Sequence, residues 1–141
     1  MNTKHHLTLL SALLLTLCLH AQTYVGSLTT NSYTYKDATI VLTIHGSSAT
    51  LLMHHVKFAK LMPVKVDVDI KNLHATKHGS STTLTGDNIV PLSNGKPHKK
   101  YTIHNLQATS TPTSLSFRCL MGDKHISFKG QLAEKGNHTT P

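Results

Sequence analysis

Histidine is the residue with the most latent chemistry in this chain: there are twelve in 141 residues, nine of them beyond Ala21. Imidazole is a ligand for late transition metals and for haem iron. His54 and His55 are adjacent, however, and on an extended strand neighbouring side chains point to opposite faces, so the pair is not expected to hold one ion. His45 and His54 flank a hairpin and could meet only if the register set them opposite each other. His74, His78, His98, His104 and His125 are scattered over turns and strands. No His-x-Glu, Cys-x-x-Cys or His-x₃-His spacing of the zinc-site kind occurs. No metal site and no cofactor is therefore assigned, and binding of a transition metal or haem by a subset of histidines stands as an alternative.

The acids are few: Asp37, Asp67, Asp69, Asp87, Asp123 and Glu134. Asp67 and Asp69 share one face of a strand and could in principle work as an acid/base pair. Lys65 and Lys71 flank them on that face, which reads more simply as a solvated, self-compensating surface. Nor is there a Gly-x-Ser-x-Gly elbow or a phosphate-binding loop. No catalytic residue is assigned and a non-enzymatic protein is expected. Cys119 is the only cysteine beyond Ala21, so no intramolecular disulfide is available there. It alternates with Leu115 and Phe117, the position of a buried, inert thiol.

These side chains must be positioned by strands. Residues 56–73 contain an unbroken alternation in which Val64, Val66, Val68 and Ile70 face one way and Lys65, Asp67, Asp69 and Lys71 the other. Such a period of two marks a half-buried β-strand. Further strands are expected at 24–30, 38–45, 49–58, 81–86, 100–109, 113–121 and 125–132, with Ile126, Phe128 and Leu132 of the last pointing inward. Gly46 closes one hairpin, residues 74–80 form a turn, and Gly122-Asp123 closes another hairpin. Inward spacing slips by one residue at His104-Asn105, the mark of a β-bulge. Residues 87–99, with Pro91, Asn94-Gly95 and Pro97, form the one long irregular connection and the candidate lid.

Ahead of the strands, residues 1–21 read as a secretory signal peptide: Lys4, an apolar run over 7–19, and a cut expected after Ala21. The run falls short of the roughly 20 apolar residues that a membrane-spanning helix needs, and no second run follows. Export to the periplasm or the extracellular space is expected, with no transmembrane segment in the mature protein. The competing reading is a lipoprotein anchored through Cys18, against which stands Leu17, where a small residue is wanted. Residues 22–132 then form one domain and 133–141 a frayed tail. Formal net charge is +8 for the whole chain. The lysines are dispersed, and no aromatics interleave them for base stacking, so nucleic acid is not an expected partner.

Eight antiparallel strands joined by short turns have two edges to protect, and closure into an up-and-down barrel removes both. An open two-sheet sandwich with Greek-key crossings is the alternative. The segments VKFAKLMPVKVDVDIKNL, LTGDNIVP, GKPHKKYTIHNL and LSFRCLMG with ISFKG resemble the small secreted bacterial proteins classed as calycin-like β-barrel domains, over residues 24–132. That resemblance implies a lipocalin-like eight-stranded barrel in an exported protein and transfers no catalytic residues. Calycins at large bind small molecules inside the barrel, and by fold analogy a small, apolar ligand is the expected partner. Leu42, Val66, Val68, Tyr101, Phe117 and Phe128 are the candidate lining residues. The same side chains could instead fill the barrel, leaving a structural protein that meets a partner protein or glycan through its surface. Oligomeric state is left open.

Overall fold

In the computed structural model, which describes residues 20–133, the chain is almost entirely β-structure. Ten strands run in order: β1 His20–Thr29, β2 Thr34–His45, β3 Ser48–Val56, β4 Val66–His78, β5 Ser81–Gly86, β6 Leu92–Ser93, β7 Lys96–Pro97, β8 Ile103–Ser110, β9 Ser114–Met121 and β10 Lys124–Leu132. A 3₁₀ turn at Lys99–Tyr101 precedes β8. Each long strand pairs antiparallel with the next, β5 skips to β8, and β10 returns to β1, while β3–β4 completes the circuit. The result is a closed eight-stranded up-and-down barrel of β1–β5 and β8–β10, and the sandwich alternative is set aside. Closure leaves no long strand with unpaired backbone groups. The segment expected to be a signal peptide lies outside the described residues up to position 19, as does the tail from 134. Strand β1 begins two residues ahead of the expected cut, with Gln22 opposite Leu42 and every later β1 pair on its mature side.

Alternation builds the interior. Along β9, Leu115, Phe117, Cys119 and Met121 are buried, and along β10 Ile126 and Phe128 are. Phe117 and Phe128 are opposite each other in the register, and their rings stack with centroids 5.4 Å apart. Leu42, Leu51, Ile40, Ile70 and Leu84 fill the space around them. Cys119 is buried as expected, and desolvation pushes its thiol from the ordinary 9.0 up to about 12. Since the folded value lies above the unfolded one, the stabilisation from keeping this thiol neutral is whole below about pH 9 and is lost as pH climbs toward 12. Cys119 of the native protein is expected not to react with a disulfide reagent at pH 8 and to react freely in denaturant; equal rates in the two states would show that the barrel wall opens locally.

Five expectations are corrected. Val64 does not face inward: β4 starts only at Val66, and Val64 is 63% exposed in the connection after Pro63. The turn expected at 74–80 shrinks to Gly79 and Ser80, because β4 runs on to His78 and pairs with β5. Leu132 is 36% exposed at the last position of β10, although it still pairs with Tyr24 and its N–H donates to the Thr113 carbonyl. The long connection at 87–99 is not irregular throughout, since β6 and β7 form a small hairpin over Asn94-Gly95, both at positive φ. Tyr101, expected in a strand, sits in the 3₁₀ turn and packs half-buried against the core.

Candidate functional site

The up-and-down winding sends the tight turns at Gly46, Gly79 and 111–113 to one end, and both long connections, 57–65 and 87–102, to the other together with the shorter turns at 30–33 and 122–123. The tight-turn end is sealed by Tyr24. Its ring is fully buried, and its hydroxyl donates to Gln22 Oε1 at 2.6 Å and lies 3.3 Å from Ser110 Oγ. A hydroxyl placed so deep requires such partners, since an unpaired one would cost about 1–3 kcal/mol. At the opposite end Thr30 hydrogen-bonds the carbonyl of Phe58 at 3.1 Å and ties the 57–65 connection to the β1–β2 turn.

Beneath these two connections lies a cavity of about 410 Å³. Its apolar lining is Val66 and Val68 of β4, Met121 of β9, Phe58 and Met62 of the 57–65 connection, and Pro91 and Leu92 at the 87–102 connection. Ser93, His98, Tyr101 and Lys124 supply the polar groups at the rim. Of the six candidate lining residues, the structure places Val66, Val68 and Tyr101 on this cavity. Leu42, Phe117 and Phe128 lie deeper, at 1%, 4% and 1% exposure, inside the packed core. Among the described residues the barrel is therefore packed around these three side chains, and the cavity lies at the end carrying the long connections. The size suits a small ligand, since such sites span roughly 300–1,000 Å³ and are mostly apolar with a few convergent polar groups.

A second constellation sits on the outside of the same wall. His54 and His55 were expected on opposite faces, but their ring centroids are 4.0 Å apart. A β-bulge is the cause. Met53 pairs with Val68 and Val56 with Val66, so two residues of β3 oppose the single Asp67 of β4. His55 takes up the extra length at φ 48°, which swings its side chain to the side of His54. Asp67 Oδ1 accepts the His55 N–H at 2.7 Å and lies 3.3 Å from His54 Nδ1. One ligand atom from each of the three residues lies within 4.8 Å of the others. His45, by contrast, faces Ser48 in the register, while His54 faces Thr39, so those two histidines do not meet.

The expected bulge at His104-Asn105 is present and is built alike. Asn105, at φ 51°, donates its N–H to Asp87 Oδ1 at 3.0 Å, and His104 Nδ1 lies 3.5 Å from that oxygen. The Asn105 N–H is the main influence holding the Asp87 carboxyl below its ordinary value, with desolvation opposing and Asn88 and His104 helping. Two further bulges place Asp37 and Asn72 at positive φ. All four occupy the same four-residue pattern: an apolar residue, a basic residue or histidine, the positive-φ residue, then an apolar residue. The words are Tyr35-Lys36-Asp37-Ala38, Met53-His54-His55-Val56, Ile70-Lys71-Asn72-Leu73 and Ile103-His104-Asn105-Leu106. A spacing of three between inward residues is thus the signal that reveals the His54-His55 bulge, and the same spacing already reads correctly at His104-Asn105. No helix among the described residues is long and apolar enough to cross a membrane. Comparison with protein-family models, with curated proteins and with solved structures finds no match to this chain.

Proposed function

We propose that this chain is an exported, non-enzymatic binding protein, calycin-like in kind, that holds a small molecule with an apolar body and an anionic or acceptor group. The observation carrying this reading is the cavity at the long-connection end: aliphatic, Met and Phe side chains line it, and Lys124 and His98 stand at its rim. The 87–102 connection contributes Pro91, Leu92, Ser93, His98 and Tyr101 to its lining, the place a binding loop would take. An ammonium at the edge of an apolar cavity favours a ligand that buries its hydrocarbon part and leaves a negative charge near water. A second reading, contact with a partner protein or glycan through the rim, is supported by Leu61 at 90% and Val64 at 63% exposure beside the same opening.

Titration with an amphiphilic anionic fluorophore such as anilinonaphthalene sulfonate tests the first reading, alongside native mass spectrometry of protein from its own host. Wild type is expected to saturate at one site. Val66→Trp, which fills the mouth, is expected to weaken binding by about tenfold or more, and Lys124→Ala by a few fold, as loss of a rim charge does. A titration that never saturates, or a V66W protein that binds as wild type does, refutes the cavity as the site.

A further inference from the structure

We propose that His54, His55 and Asp67 form a surface site for a late first-row divalent cation, of the zinc or copper class. This rests on the outer wall of the barrel and is independent of what the cavity binds. Two imidazoles and a carboxylate are a donor set that suits zinc, copper and nickel. Tetrahedral coordination at about 2.0–2.2 Å places ligand atoms roughly 3.3 Å apart. The 3.3 Å between His54 Nδ1 and Asp67 Oδ1 already matches such an edge, and the third donor lies within 4.8 Å of both. Both imidazoles are exposed, so small rotations can close the remaining distance without disturbing the core. A carboxylate oxygen can accept the His55 N–H and still ligate, so the backbone bond holds Asp67 in place as one ligand.

The other three bulges supply the internal comparison. Their positive-φ residues are Asp37, Asn72 and Asn105, the types that adopt this backbone region at least cost. At His104-Asn105 the bulge keeps the histidine, the carboxylate and the hydrogen bond with no second imidazole. The backbone at position 55 therefore has no need of histidine, and what His55 adds is a ligand facing the other two.

Isothermal titration of the untagged protein with zinc chloride tests the site. Saturable binding of one ion per chain is expected, with a Kd below about 100 μM. His55→Asn keeps the bulge in the form seen at Asn105 and is expected to fold as wild type does while weakening zinc binding by about tenfold or more. His54→Gln, at a position of ordinary extended backbone, is expected to do the same, and His104→Gln to leave affinity within about twofold, since it lies outside the triad. Binding that needs millimolar zinc overturns the proposal, as does wild-type affinity in both H54Q and H55N.

Discussion

Replacing Gly26 by valine is expected to cost more stability than any other single substitution in the barrel. Gly26 of β1 lies directly opposite Gly130 of β10, on the one seam that joins the first strand to the last. A Cβ added at Gly26 would run into the Lys129 carbonyl oxygen and the Gly130 Cα, and one added at Gly130 would meet the Phe128 ring and the Val25 carbonyl oxygen. Most of these obstacles are backbone atoms, which cannot yield without pulling the ladder apart. Glycine here serves close approach of two strands. A loss above about 4 kcal/mol places a substitution among the exceptional ones. Against the usual 5–15 kcal/mol of total stability, roughly that loss would leave the barrel marginal or unfolded. Urea denaturation followed by far-ultraviolet circular dichroism is the measurement. If Gly26→Val costs less than about 1 kcal/mol, the seam separates easily and the barrel is not stabilised by closure there.

Phe128→Ala is the second. The ring is 1% exposed, is stacked on Phe117, and has Leu28 of β1 opposite it in the β1–β10 register. Truncation removes the centre of the filled part of the barrel, where strands on either side are held by their ladders and cannot collapse into the void. The expected cost is about 3–5 kcal/mol, the transfer loss plus the residual cavity. Phe128→Leu, which keeps much of the volume, is expected to cost well under half of that. Similar losses for the two variants would mean the interior at this level is already loose, and the distinction between a packed lower core and an open mouth would fail.

Many of the elements were legible because a strand with one face buried writes a period of two into its sequence. Val66, Val68 and Ile70 against Asp67, Asp69 and Lys71 read correctly for that reason, as did Phe117 with Cys119 and Ile126 with Phe128. The same logic misled at Val64. Alternation there continues past the point where Pro63 and the connection take the chain off the sheet, and nothing in the local pattern marks the end of the ladder. Leu132 failed likewise, at a strand end where inward direction no longer means cover. The His54-His55 bulge was missed although its spacing signal is the one that reveals Asn105. The bulges at Asp37 and Asn72 were missed as well. Residue type was not the obstacle, since Asn, Asp and His all enter positive φ more readily than most; the three-residue spacing was read at one of its four occurrences.

By itself the sequence determined the class of object: short strands alternating in polarity, turns of the right chemistry between them, and a buried thiol. These are local properties, set by residue type and spacing within a few positions. Tertiary structure alone decided the rest, because each remaining feature joins residues far apart in the chain. Closure pairs Gly26 with Gly130, and the cavity gathers Phe58, Val66, Pro91, His98 and Met121 at one end. Asp67 comes beside two histidines, twelve and thirteen residues earlier, only because β3 and β4 pair in a register with one residue to spare. Whether Leu42, Phe117 and Phe128 would line a ligand or fill the core was a question of volume, and volume depends on how all eight strands close around them.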